Sequence, residues 1–140
     1  MLAIVSLLVI LALSLLVTRI ASTALEHTGL SRESARFQAR SAFTGVGFTT
    51  TEAESVVNHP VRRRIVQILM LLGNAGIVTS ISSLMLSFVS SADDTTLAVR
   101  IGVLVAGVGG LMLAANSRWV DARLSAVIRW ALRKYSTLEI

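Results

Sequence analysis

Long apolar runs separated by arginine clusters organise this chain. Met1 to Thr18 holds 18 residues without a charge, Ile65 to Ala92 holds 28, and Ile101 to Ser117 holds 17. Runs of that size approach or exceed the roughly 20 residues with which a helix crosses a bilayer. The first extends past Arg19 toward Leu25, and the third reaches back to Leu97 if Arg100 snorkels toward the headgroups. A secretory leader would place Lys or Arg before the first run, and none precedes it. The pattern predicts an all-α integral membrane protein forming a single membrane domain. Its transmembrane helices are expected at 1–25, 61–92 and 97–117, with a helix–glycine loop–helix insertion at 31–59 between the first two. An amphipathic cytoplasmic helix is expected at 118–136.

The insertion has its own periodicity. Ser31 can cap a helix, with Glu33 in its positive first turn. Arg32, Arg36 and Arg40 then repeat every fourth residue, while Ala35, Ala39, Ala42 and Phe43 fill another side. Like charges at that spacing cost a few tenths of a kcal/mol per pair in water, and anionic lipid headgroups would reverse the sign. The stripe reads as an interfacial helix on the inner leaflet. Gly45 and Gly47 follow within Thr44–Thr51, opening backbone angles closed to other residues. Thr51 and Glu54 match a capping box, which predicts a second short helix from Glu52. His59-Pro60 ends it, and Pro60 fits the first turn of the next span.

Each span also carries a face of small residues. Gly73, Gly76, Ser80, Ser83, Ser87 and Ser90 form a heptad seam, with Asn74 one position off it. An amide in hydrocarbon needs a partner, so Asn74 should face another helix or a polar cavity. Gly102, Ala106, Gly110 and Ala114 make a small-xxx-small ladder, and Ser14, Thr18 and Ser22 repeat likewise. Three short spans offer more such faces than one copy can use, which predicts a homo-oligomer. The acidic link after the second span is too short to cross anything, so the second and third spans should form an antiparallel hairpin.

Composition narrows the function. Hydrophobic residues make up 54% of the chain and charged residues 15%, with a mean hydropathy of +0.73. Cysteine is absent, which removes disulfides and Cys-ligated zinc. His27 and His59 have no carboxylates arranged around them, so neither a metal nor any other resident cofactor is expected. No span contains His, Asp, Glu or Lys, the groups an intramembrane enzyme would need, so the protein should not be an enzyme. Seven basic residues lie between the first two spans, five after the third, and Arg100 alone beside the acidic link. This distribution puts the insertion and C-terminus in the cytoplasm and the N-terminus outside. The net charge of +5 therefore belongs to the membrane surface and implies no nucleic-acid partner.

Ser41-Ala42-Phe43-Thr44-Gly45-Val46-Gly47-Phe48-Thr49-Thr50 resembles the pore-loop region of bacterial Trk/Ktr-type potassium transporters. It is similar as well to small bacterial membrane proteins that carry a TrkA-C (RCK-type) domain after their spans. The resemblance implies that Thr44, Gly45, Val46, Gly47 and Phe48 line an ion path. It implies potassium as the bound ion, Arg32, Arg36 and Arg40 as anchors of the pore helix, a cytoplasmic RCK-type domain, and the bacterial inner membrane. Trk/Ktr-type proteins carry four such repeats per chain, whereas this chain has one and would assemble around an axis. Their filters open from outside, while the arginines here put the loop on the cytoplasmic side. Two readings follow. One is a homo-oligomeric potassium-like channel or transport subunit whose loop re-enters from the cytoplasm. The other is a non-catalytic membrane scaffold or sensor in which the loop is a turn.

Overall fold

The computed structural model describes residues 2–89 and 96–136, and these form six helices and no strand. They are α1 (Leu2–His27), α2 (Arg32–Thr44), α3 (Thr50–Val57), α4 (Pro60–Val89), α5 (Leu97–Asn116) and α6 (Arg118–Ser136). Three of them, α1, α4 and α5, are long and apolar enough to cross a membrane. The architecture is that of an all-α, multi-pass membrane protein. Ser90 of the seam and the acidic link at Asp93 and Asp94 lie outside the described residues.

α1 is the centre of the bundle. α4 runs antiparallel to it, with Ser6 Oγ donating to Ser83 Oγ at 3.4 Å near one end and Arg62 reaching Thr28 at the other. The seam on α4 therefore faces inward: Gly73 and Ser87 are buried, and Gly76, Ser80 and Ser83 are half-buried. It is used as a packing surface within the chain, where small residues let helices approach closely.

α2 lies in the groove between α1 and α4. Ala35, Ala39 and Ala42 recur on one helical face and are fully buried, packed with Ala21, Leu25, Val66 and Leu69. A face of alanines presents no bulk, so α2 docks along its neighbours while its arginines stay exposed. Ser31 caps α2 as its sequence suggests, accepting from the Ser34 N–H at 3.2 Å. Ser31→Ala should cost about 1 kcal/mol, visible as a lowered Tm in detergent.

α3 starts earlier than the Thr51–Glu54 pattern suggests. The N–H and the hydroxyl of Thr49 both donate to the Glu52 carboxylate at 3.2 Å. Thr49-Thr50-Thr51-Glu52-Ala53-Glu54 offers the same box in two registers, and the earlier one is used. α3 then packs on α4 and buries Val56.

α5 runs parallel to α1, with Gly107 against Leu8 and Ala115 beside Arg19. α4 and α5 therefore run antiparallel, as expected of the second and third spans, but among the described residues they meet through the Arg100 side chain and not along a packed face. The ladder Gly102, Ala106, Gly110 and Ala114 points outward, all four exposed. Gly107, one position off that ladder, makes the contact instead. Arg100 also departs from expectation. It is buried, 9% exposed, and donates from Nη1 to the Ser87 carbonyl at 2.8 Å rather than reaching for headgroups. The last carbonyls of a helix lack partners and carry negative partial charge, and a guanidinium satisfies both.

Candidate functional site

The glycine loop is set by how far α2 travels. Phe43 meets α4 at Gly73 and Gly76, and Ser14 of α1 borders the same point. These positions are midway along α4 and α1, about 20 Å from the start of α4 at the helical rise per residue. Gly45 closes α2 with φ +75°, its N–H donating to the Ser41 carbonyl, and the Val46 N–H donates to the same oxygen at 3.1 Å. Gly47 has φ +92°. Both glycines thus occupy left-handed conformations, which L side chains enter only at a cost of about 1–2 kcal/mol.

Thr44, Gly45 and Val46 are exposed, Val46 at 80%, while Gly47 and Phe48 are half-buried and Phe48 packs against the core. The carbonyls of residues 44–48 accept no hydrogen bond from any described residue. The loop is thus a short row of free acceptors halfway along the bundle, pinned at one end by Gly73 and at the other by Phe48 and the Thr49–Glu52 box.

A second centre lies at the end of the bundle where α1 and α5 finish. Asp121, in the first turn of α6, receives Arg36 at 2.9 Å from α2 and Arg19 at 3.1 Å from α1. Arg32 stands at 3.9 Å, and the Arg40 side chain makes no hydrogen bond or ion pair with a described residue. Arg19 also donates to the Ala115 carbonyl of α5. Asp121 thereby joins α1, α2 and α6, and Arg19 adds α5. The sequence singled out Arg32, Arg36 and Arg40 as a stripe, but nothing in it marked Asp121 or Arg19 as their companions.

Arg62 was likewise hidden in a triplet. Its guanidinium donates to the Thr28 carbonyl and hydroxyl, both at 2.8 Å, and to the Ser55 hydroxyl and carbonyl at 3.2 and 3.4 Å. Arg63 and Arg64 are exposed. Asn74 and Gly110, expected at helix contacts, are exposed too, and the Asn74 amide has no partner within the described residues. Among those residues no group of three His, Cys, Asp or Glu side chains could hold a metal ion.

No protein-family model matches this chain, and no curated protein or solved structure does either.

Proposed function

We propose that the chain is one subunit of a homo-oligomeric membrane channel or transport unit for a monovalent cation, potassium by resemblance. Its glycine loop would lie at the assembly's axis. The observation that carries this reading is the set of free carbonyls at 44–48, held level with the middle of two membrane-length helices. Nonhelical backbone at that depth is tolerated only where protein covers it or it lines a water-filled cavity. Within this chain Thr44, Gly45 and Val46 are exposed, so neighbouring copies would enclose them. Rings of backbone carbonyls replacing an ion's water are how selectivity filters work. α2, rising from the arginine-rich end and stopping at the loop, would serve as a pore helix entering from the cytoplasmic side of a bacterial inner membrane. The exposed Asn74 amide and the outward ladder of α5 give surfaces by which copies could meet.

The test is potassium flux into liposomes holding the purified chain, run beside Gly47→Ala and Gly45→Ala. The positive φ at each glycine makes alanine strained there, so the loop's carbonyls should be redirected and flux should fall at least tenfold with the oligomer intact. Wild-type flux from both variants would sink the filter reading.

A second reading draws on the Asp121 centre. One carboxylate at the head of α6 grips α1 and α2 together, as expected of a scaffold or sensor that passes a signal between the membrane helices and a cytoplasmic RCK-type domain. On that reading the assembled chain conducts nothing and its loop faces the outer rim.

A further inference from the structure

Two cavities meet beside α2. One, of 140 Å³, is walled by Arg19, Arg32, Arg36 and Arg40 together with Asp121 and Glu26. Four guanidiniums face two carboxylates there, an excess of two positive charges. Arg40 engages neither carboxylate, and Arg32 reaches Asp121 only at 3.9 Å. The other cavity, of 340 Å³, is lined mainly by Leu11 of α1, by Val108, Leu111 and Met112 of α5, and by Phe43 of α2. Leu15, Thr18, Arg40 and Ala115 line both cavities, so the cationic space and the apolar one adjoin.

A cationic head joined to an apolar cleft is complementary to an anion tethered to hydrocarbon. Guanidinium groups bind phosphate oxygens in paired, charge-assisted hydrogen bonds. The site also sits at the right level for such a molecule: α5 ends beside it at Asn116, and α6 carries the exposed Trp119 and Trp130 that typify a headgroup boundary. Free inorganic phosphate would use the arginines but leave the cleft without a role. A zwitterionic lipid would fill the cleft but leave the excess positive charge unanswered.

We propose that this is a defined site for one anionic phospholipid, its phosphate between Arg36 and Arg40 and an acyl chain in the cleft between α1, α2 and α5. Bound there, the lipid supplies the anion that offsets the repulsion within the arginine stripe and ties α5 to the end of α2. The site needs no pore: it stands or falls separately from ion flux.

The experiment uses the full chain in a neutral detergent. Phosphatidylglycerol, phosphatidylcholine with the same acyl chains, and inorganic phosphate are added separately. Thermal unfolding and native mass spectrometry are read for each. Phosphatidylglycerol should raise Tm and stay bound at one molecule per chain, and the other two should do neither. Arg40→Gln, at an exposed and unpaired side chain, should weaken phosphatidylglycerol binding about tenfold, the worth of one charge-assisted contact. Met112→Trp, filling the cleft from a side chain that is 70% exposed, should weaken it as well. Equal stabilisation by phosphatidylcholine would overturn the proposal, and so would a shift that inorganic phosphate reproduces. Wild-type binding by both variants, with helical content unchanged, would overturn it too.

Discussion

Gly73→Ala should be the most damaging single-methyl change in this protein. A Cβ at Gly73 would collide with the carbonyl oxygen of Phe43 and lie 2.8 Å from its carbonyl carbon. The obstacle is backbone, so no rotamer change relieves it, and α2 must move away from α4. Overpacking of this kind costs about 1–3 kcal/mol, and contact with backbone argues for the upper end. The control is Gly110→Ala, where a Cβ meets nothing and a small change is expected, within about 0.5 kcal/mol. Thermal unfolding in a detergent that keeps the chain monomeric would compare them. The chain has no cysteine, so Val46→Cys gives a unique label for the loop, and Gly73→Ala should change its labelling rate. Equal Tm values for the two glycine variants would mean that α2 does not dock as described.

The second large effect is expected at Arg62. Arg62→Gln removes a guanidinium that bonds the end of α1 and the C-terminal part of α3 to the start of α4. Hydrogen bonds to a charged group are worth about 1.5–3 kcal/mol each, and bonds sharing one group do not add. A loss of roughly 2–4 kcal/mol is expected on that basis. Arg63→Gln and Arg64→Gln remove the same charge from the same loop but stand exposed, so they should be nearly silent, within about 0.5 kcal/mol. Denaturant unfolding in mixed micelles separates the three. If all three lose equal stability, the triplet acts only through its total charge.

These two positions mark where the sequence stopped being legible. Three membrane-length helices could be read from uncharged runs, because a bilayer demands length and apolarity and little else. The small-residue seam of α4 was visible as well, and it packs within the chain. What no periodicity could reveal was which small residue meets which backbone. Gly73 and Gly110 look alike in sequence, yet a Cβ on the first would strike Phe43 and a Cβ on the second would meet no described residue. Gly107 fell outside the regular ladder because α5 turns that side toward Leu8. The three adjacent arginines 62–64 are chemically identical, and only the arrival of Thr28 and Ser55 from distant segments singles out the first. Asp121 was unreadable for the same reason, since its partners come from 85 or more residues upstream. The register of the α3 cap was ambiguous because the threonine run permits two starts.

The position of α1 bears on how the protein is made. Of the described helices it is made before the others, and α2, α4, α5 and α6 each rest against it. Every later membrane helix therefore emerges to find its neighbour already in place, and vectorial synthesis builds the bundle outward from its centre. A permuted gene that produced α1 last would deliver α4 and α5 to the membrane with no surface to join. Such a chain should be cleared by quality-control proteases while carrying every native contact in its code.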